Sequence, residues 1–358
     1  MYVALFGNLC SIICIFVYKT FLEMKTSLLI TTINRPNKNI KSFEKNCAKK
    51  KWSFVVIGDQ KTPKDFRLNY GNYYSVKDQE KFKFKFTDKC YLNNYARKNI
   101  GYLISIKNQS DIIIETDDDN YPYKNFFSDK KRTHSAKIVK SKRKWINIYN
   151  LFYKKKIICW PRGIPLDKIH NDKIQLGNKK KSVFILQQGV CEGNPDVDAV
   201  FRLINKKINI KFKRNLQINI NKSFVSLNSQ NTIWFKETFP ILYLPVTCTM
   251  RCTDIWRGLV AQRILQNDNQ NILFFGTTMR QDRNDHNLMN DFKQEVPMYL
   301  LNTQINEILL KLKLPKGNHN YLNNLNICYD ALMKNRIISK EEFFFLNAWT
   351  KDIENIIK

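Results

Sequence analysis

The stretch from Asp111 to Asn120, DIIIETDDDN, constrains the fold more than any other part of the chain. Its β-branched residues 112–114 form an apolar run typical of a strand buried on both faces of a parallel or mixed sheet. Three carboxylates, Asp117, Asp118 and Asp119, follow where that strand should end. Because adjacent carboxylates repel one another unless a cation lies among them, the pattern indicates a divalent metal site at the end of a strand. A solvated acidic turn is the alternative.

The composition is that of a folded protein with excess positive charge. Hydrophobic residues make up 43% and aromatic residues 13% of the 358 residues, which provides a sizeable core and excludes global disorder. The 60 Lys and Arg against 31 Asp and Glu give a net charge of +29. Such a field favours phosphorylated small molecules, an anionic membrane surface or nucleic acid. Nucleic acid is disfavoured, because the excess is mostly Lys scattered through predicted loops.

The nine cysteines are an odd number and show no zinc-site spacing. Cys248 and Cys252 come nearest to it but lack a second pair. We therefore expect mostly free thiols in a reducing compartment.

Residues 1–24 form either a hydrophobic membrane anchor or a dispensable leader. The first 18 residues carry no charge, and Lys19 and Lys25 follow. This run is at the short end of what spans a bilayer and lacks the basic start of a signal peptide. If it inserts, the positive-inside rule places the main domain in the cytoplasm. The expected location is the cytoplasm or the cytoplasmic face of a membrane.

Strands and helices alternate in the first third of the chain. Predicted strands at 27–34, 52–59 and 72–76 are separated by polar and helical segments, and a helix at 92–107 precedes the acidic strand. This alternation predicts a parallel sheet with right-handed crossovers. The polar ends of these strands should share the edge at which open α/β sheets bind nucleotides.

Three common nucleotide or hydrolase motifs are missing from the sequence. It contains no G-x-G-x-x-G after the first strand, no G-x-x-x-x-G-K and no G-x-S-x-G. Their absence argues against a dinucleotide oxidoreductase, a P-loop NTPase and an α/β-hydrolase. A nucleotide diphosphate held by a metal, without a glycine loop, is consistent with what remains.

The second half predicts further strands and a helical end. Residues 128–144 are polar and basic and predict a mobile loop, and strand signals recur up to a late strand at 271–277. We expect the main domain to occupy residues 25–300 and a helical appendage to occupy residues 301–358.

Several long sequence blocks resemble the STELLO-type glycosyltransferases, in the same order along residues 27–300. The blocks are TTINRP (31–36), VVIGDQKTPKDF (55–66), NNYARKNIGYL (93–103), ETDDDN (115–120), WPRGIPL (160–166), NPDVDAVFRL (194–203), LNSQNT (227–232), LYLPVTCTMRCTDIWRGLVAQR (242–263) and RNDHNLMNDFKQEVPMYL (283–300). The family is also distantly similar to the reversibly glycosylated polypeptides.

The resemblance implies an α/β, GT-A-like nucleotide-sugar-binding fold with a mixed, mostly parallel central sheet flanked by helices. It implies a metal-dependent hexosyl- or pentosyltransferase that uses Mn2+ or Mg2+. Such an enzyme moves a sugar from a nucleotide-sugar donor, a UDP-sugar, to a glycan or lipid-linked acceptor. Plant members are Golgi membrane proteins, so a Golgi membrane is the alternative location.

The donor and metal residues follow from the motifs and the resemblance together. We expect Asp117 and Asp119 to hold the metal and the diphosphate, since hard carboxylate oxygens suit Mn2+ and Mg2+. Asp118 is the expected contact to the ribose or sugar. The other expected donor-binding residues are Thr32 and Asn34 after the first strand, Asp59 beside the nucleotide base, and Arg97 and Asn99, which resemble the R-N-x-G signature of GT-A enzymes. A structural role in a turn is the alternative for Asp59, and a solvated arginine on a helix is the alternative for Arg97.

Two further residues are expected on the acceptor side. By resemblance, Asp254 in CTDIWRG is the general base that takes the acceptor's proton, although an Asp there could simply cap a helix. His286 in RNDHN is the candidate late metal ligand, with an ordinary surface histidine as the alternative.

Two other functions share this fold. A nucleotide-sugar mutase would use the same donor and metal site without a separate acceptor. A non-catalytic scaffold would tolerate loss of the carboxylates, and their presence disfavours it.

Overall fold

The computed structural model describes residues 24–141, 145–153, 158–170, 174–205, 207–283 and 287–357. The predicted leader lies almost wholly outside them. Within these ranges, no helix combines the length and the apolar character needed to cross a bilayer. The seven cysteines in the described ranges are free thiols, as expected.

Eleven strands join into one sheet over the described ranges. They are β1 Thr26–Thr32, β2 Ser53–Gly58, β3 Asn72–Tyr74, β4 Ile112–Asp117, β5 Asn120–Pro122, β6 Thr133–Val139, β7 Leu176–Val183, β8 Leu186–Gly193, β9 Gln217–Ile220, β10 Asn231–Phe235 and β11 Ile272–Gln281.

The helices pack against this sheet and against one another. They are α1 Lys38–Lys50, α2 Val76–Glu80, α3 Lys85–Lys89, α4 Lys98–Lys107, α5 Ile148–Phe152, α6 Ala199–Ile204, α7 Thr253–Asn267, α8 Leu288–Lys311, α9 Tyr321–Lys334 and α10 Glu342–Ile357.

The strand order is β3-β2-β1-β4-β10-β8-β11-β9-β6-β7, with β5 paired to β11. The first four strands are parallel, and β10 joins them antiparallel to β4. Thr31 lies opposite Asp117, and Thr32 lies opposite Gly58. The carboxyl ends of β1, β2 and β4 therefore share one edge, and the predicted α/β class with a mixed central sheet is confirmed.

The C-terminal helices are tied into the main domain. Glu342, which is fully buried, accepts hydrogen bonds from Val246 N at 2.9 Å and Thr247 N at 2.8 Å. Asp352 accepts hydrogen bonds from the first backbone amides of α3. The predicted boundary at residue 300 falls inside α8, so the helical end forms part of the same packed body.

The predicted loop at 128–144 is wrong, because residues 133–139 form β6 and pair with the edge strand β7. Ala136 and Val139 are buried in the core, whereas Lys137 between them is half-buried and Lys140 after them is exposed. The two buried residues of β6 are too few to show a strand pattern in the sequence, because lysines surround them.

One buried ion pair anchors the acidic strand. The Glu115 carboxylate, on β4, receives Arg257 of α7 at 2.8 Å and Trp234 Nε1 at 2.7 Å. Glu115 and Arg257 are both fully buried. The pair joins the sheet to α7 directly behind the motif.

Replacing Glu115 by Gln should lower the free energy of unfolding by about 3 to 5 kcal/mol, because the Arg257 charge then stays buried without its counterion. Urea denaturation followed by circular dichroism measures this. Asp129→Asn, which removes an exposed partner of Lys50, should cost less than about 1 kcal/mol. Equal losses in the two variants would contradict the account.

Candidate active site

The acidic motif lies where β1 and β4 end side by side. Thr32 Oγ1 donates to Asp118 Oδ2 at 2.5 Å, and Asn34 Nδ2 donates to the same oxygen at 3.0 Å. The Asp118 carbonyl accepts from Asn37 Nδ2 at 2.8 Å and Asn39 Nδ2 at 3.1 Å. The structure therefore brings three of the predicted donor residues, Thr32, Asn34 and Asp118, into direct contact.

Asp117 is paired with a lysine that the sequence analysis did not select. Lys98 Nζ lies 3.1 Å from Asp117 Oδ1 and also donates to Thr116 O at 3.0 Å. Tyr95 OH donates to the same carboxylate oxygen at 3.1 Å. Lys98 is fully buried, whereas the Asp117 side chain is 30% exposed. One fixed cation therefore compensates the first carboxylate, whose outer part faces solvent.

Asp119 has one buried oxygen without a hydrogen-bond partner. Gln281 Nε2 donates to Oδ2 at 2.7 Å, but Oδ1 has no partner among the described residues. Burial, followed by the neighbouring Asp117 carboxylate, raises the pKa of Asp119 to about 7. A buried oxygen with this electrostatic environment would be stabilised by a positive ion.

The carboxylates of Asp117 and Asp119 fit a divalent cation whose remaining coordination positions are filled by a bound ligand. Within the described ranges, no group of three or more His, Cys, Asp or Glu side chains is arranged around a metal position. Mg2+-type ions are commonly held by one or two carboxylates together with substrate phosphates and waters. The hard oxygens of Asp117 and Asp119 suit that mode. His286 lies outside the described residues.

Asp254 is the second residue of α7, and both of its carboxylate oxygens accept hydrogen bonds. Arg162 NH1 and NH2 bind its two oxygens at 3.0 Å each, and Ser229 N lies 3.2 Å from Oδ2. Gly258 allows α7 to pack closely against the segment that carries Ser229, since a Cβ at residue 258 would collide with the Leu227 carbonyl oxygen. Although burial opposes it, the Arg162 guanidinium holds the pKa of Asp254 below its ordinary value.

A chain of hydrogen bonds links Asp254 to the acidic motif. Ser229 Oγ contacts Asp254 Oδ2 at 3.2 Å and Tyr95 OH at 2.5 Å, and Tyr95 OH reaches Asp117. On its far side, Arg162 also binds Asp196 through Nε at 2.9 Å and NH2 at 2.8 Å. The two predicted halves of the site, around Asp117 and around Asp254, are thus joined by direct contacts.

The other predicted donor residues have structural partners. Asp59 accepts from Asn93 N at 2.9 Å and Asn94 N at 3.1 Å. Arg97 is 3% exposed, and its Nε donates to Gln79 Oε1 at 3.1 Å. Asn99 exchanges two hydrogen bonds of 2.8 Å with the Leu244 backbone. Among the described residues, neither Arg97 nor Asn99 contacts the acidic motif.

Sequence reasoning missed Lys98, Tyr95, Ser229, Gln281 and Arg162. Lys98 directly follows the arginine that was selected, and the helical register decides which of the two faces the strand end. Arg162 and Ser229 lie in WPRGIPL and LNSQNT, blocks already singled out by the resemblance. Gln281 ends β11, four residues beyond the end of the late strand predicted at 271–277, so no sequence signal marked it.

Comparisons with known proteins find similarity to one family. The family model described as STELLO glycosyltransferases matches residues 251–357. Probable glycosyltransferase STELLO1 of Arabidopsis thaliana is 24% identical over 348 residues, which are 91% of this chain and 44% of that protein. Probable glycosyltransferase STELLO2 of the same plant is 26% identical over 260 residues, 66% of this chain and 33% of that protein. The chain spans less than half the length of these curated relatives.

A solved structure described as Crystal Structure of a Mycobacterial Protein is also similar. It matches with a TM-score of 0.41 and 10% identity, and the match covers 78% of this chain and 74% of that chain. A likeness of this strength supports no functional inference.

The family model and both plant relatives are described as glycosyltransferases of the STELLO type. The chain is thus similar to the STELLO glycosyltransferases, and the resemblance stated from the sequence is confirmed.

Replacing Lys98 by Met should lower the free energy of unfolding by about 3 kcal/mol. This is the lower end for a broken buried pair, because Asp117 is partly exposed. Thermal and urea unfolding of the purified full chain measure the change. Lys107→Met, on the exposed side of the same helix, should cost less than about 1 kcal/mol. A Lys98→Met variant as stable as wild type would contradict the pairing role.

Proposed function

We propose that this protein is a metal-dependent glycosyltransferase that takes its sugar from a UDP-sugar. The observation that carries the proposal is the buried Oδ1 of Asp119, which lies near Asp117 and has no hydrogen-bond partner among the described residues. Two carboxylates at the carboxyl edge of a sheet, one of them without an ion-pair partner in the described part of the chain, are suited to a divalent ion and a diphosphate. The names of the two plant relatives, which call them probable glycosyltransferases, support the same class.

The donor would lie across the ends of β1, β2 and β4. Asp118 is oriented by Thr32 and Asn34, which both bind its Oδ2. Its carboxylate is therefore fixed in place to accept a hydroxyl group of the ribose or sugar. Asp59, at the end of β2, stays the proposed neighbour of the base. The hydrogen bonds from Asn93 and Asn94 fix its orientation and also give it a structural task.

Asp117 and Asp119 would hold Mn2+ or Mg2+, with His286 the proposed further ligand. When bound, such an ion supplies positive charge that stabilises a leaving diphosphate. The chain itself contributes Lys98, which fixes the orientation of Asp117 and adds a buried positive charge at the same edge. Gln281 performs the corresponding task for Asp119, because it binds Oδ2 and turns Oδ1 away from itself.

The contacts of Asp254 favour a positioning role over the predicted role of general base. Both of its oxygens are occupied by Arg162, and a carboxylate with a lowered pKa is a weak proton acceptor. Through Ser229 and Tyr95 it instead fixes the orientation of Asp117. The role of Asp254 as a base stays a prediction.

The contacts of Arg97 likewise favour a supporting role over direct binding of the donor. Its guanidinium is buried against Gln79 and lies 3.9 Å from Asp59, so it supports the loop that carries Asp59. Direct binding of the donor diphosphate by Arg97 stays a prediction, and so does a donor contact by Asn99. The acceptor is proposed to be a glycan or a lipid-linked sugar, and the transferred group a hexose or pentose.

Titration calorimetry of the full chain with UDP and MnCl2 tests the proposal. We expect UDP to bind with metal and to lose at least about tenfold in affinity when the metal is chelated with EDTA. Asp119→Asn should cause a similar loss, because the charge that holds the ion is removed while the side-chain shape is kept. Asp129→Asn, an exposed acidic residue on a neighbouring segment, should bind within about twofold of wild type.

Circular dichroism confirms that each variant is folded before titration. If folded wild type binds neither UDP nor another nucleoside diphosphate in the presence of Mn2+ or Mg2+, the catalytic assignment fails. If Asp119→Asn binds UDP and Mn2+ as tightly as wild type, the assignment of the metal to this oxygen fails.

A further inference from the structure

A groove of about 750 Å³ lies along β3, at one end of the sheet. β3 pairs with β2 on one side, and no strand among the described residues lies on its other side. The edge of a strand presents unpaired N–H and C=O groups. The groove is lined by residues between Lys64 and Phe82, and none of the proposed donor or metal residues lines it.

The two walls of the groove lie on opposite faces of the sheet. Tyr73 and Tyr74 are consecutive residues of β3, so their side chains point to opposite faces. Phe66 stacks on Tyr73 with ring centroids 4.3 Å apart. Phe82 packs edge-on against Tyr74 with centroids 5.3 Å apart. The segment before β3 therefore forms one wall, the end of α2 forms the other, and the strand edge forms the floor.

The free charge of this groove is positive. Lys64 and Arg67 are exposed on one wall and form no ion pair among the described residues, and Lys81 is exposed on the other wall. Asp78 is the one carboxylate among the described lining residues. Its two oxygens are already engaged, one by Lys81 at 2.7 Å and one by Ser75 at 2.6 Å. The unpaired positive charge is thus concentrated at Lys64 and Arg67.

From this geometry we infer that the edge of β3 is a docking site for an extended, acidic segment of a partner protein. The segment adds to the sheet as one more strand. Its backbone pairs with residues 71–73, because Tyr74 O already accepts from Gln79 Nε2. Its alternating side chains contact the aromatic rings of the two walls, and its carboxylates contact Lys64 and Arg67. The same cations repel a second copy of this chain, whose net charge is +29.

Binding of a fluorescent peptide to the full chain tests this inference. The probe is an acetylated and amidated EVEVEVE peptide, measured by fluorescence anisotropy at low and physiological salt. A second peptide has the same sequence with alternate backbone amides methylated, which keeps its charge but prevents strand pairing. We expect the unmethylated peptide to bind at least about tenfold more tightly. Hydrogen exchange of the amides of residues 71–73 should slow when it is bound.

Charge-reversal variants locate the site. Lys64→Glu combined with Arg67→Glu should weaken binding at least about tenfold. The matched control is Lys179→Glu combined with Lys180→Glu, which reverses two exposed lysines on β7, the edge strand at the other end of the sheet. The control should bind within about twofold of wild type. Circular dichroism establishes that both variants are folded.

Three results would overturn the inference. Equal loss in the two charge-reversal variants would mean that the peptide binds the basic surface in general. Equal binding of the methylated peptide would mean that no strand is added. Binding of a decamer of galacturonic acid in place of the peptide, with the same dependence on Lys64 and Arg67, would make the groove a carbohydrate site. None of these results bears on the UDP site, which calorimetry tests separately.

Discussion

The compensation of three consecutive carboxylates at the end of a buried strand is the constraint on which this structure depends. Each of the three carboxylates has different hydrogen-bond partners. Lys98 and Tyr95 bind Asp117, Thr32 and Asn34 bind Asp118, and Gln281 binds one oxygen of Asp119. A fixed cation contacts only the first of them among the described residues. The last keeps a buried oxygen open, which is the arrangement expected where a mobile cation completes a site.

The surrounding fold holds these carboxylates in a single arrangement. Glu115, two residues before Asp117, is joined to Arg257 of α7 in the core, and Asp254 opens the same helix. The route from Asp254 through Ser229 and Tyr95 to Asp117 ties the start of α7 to the motif from a second direction. Because α7 contacts the acidic strand both behind and beside the motif, a change in the helix is expected to alter the proposed metal site.

The parts of the fold that depend on local sequence patterns could be predicted from the sequence. The apolar run before Asp117 and the alternation of strands and helices predicted the parallel strands and their common edge. The pairing of β6 with β7 could not be predicted, because an exposed strand rich in lysine has the same composition as a loop. The position of residue 300 inside α8 was missed because the periodicity of a long helix contains no stop signal there.

The candidate site was predictable to a similar degree. Site residues that are next to one another in the sequence, such as Asp117 to Asp119, could be recognised from their spacing. Partners distant in the sequence did not. Lys98 and Arg97 are neighbours, and only the register of α4 decides that Lys98 faces Asp117 while Arg97 faces Gln79. Arg162 reaches Asp254 across 92 residues, and no local pattern encodes that contact.

Anomalous diffraction from crystals of the full chain soaked with Mn2+ and UDP tests directly whether Asp117 and Asp119 hold a metal ion. We expect a single manganese peak beside Asp119 Oδ1 and Asp117, with the UDP phosphates next to it. Manganese bound only elsewhere on the chain, or UDP bound at a distance from these two carboxylates, would contradict this expectation.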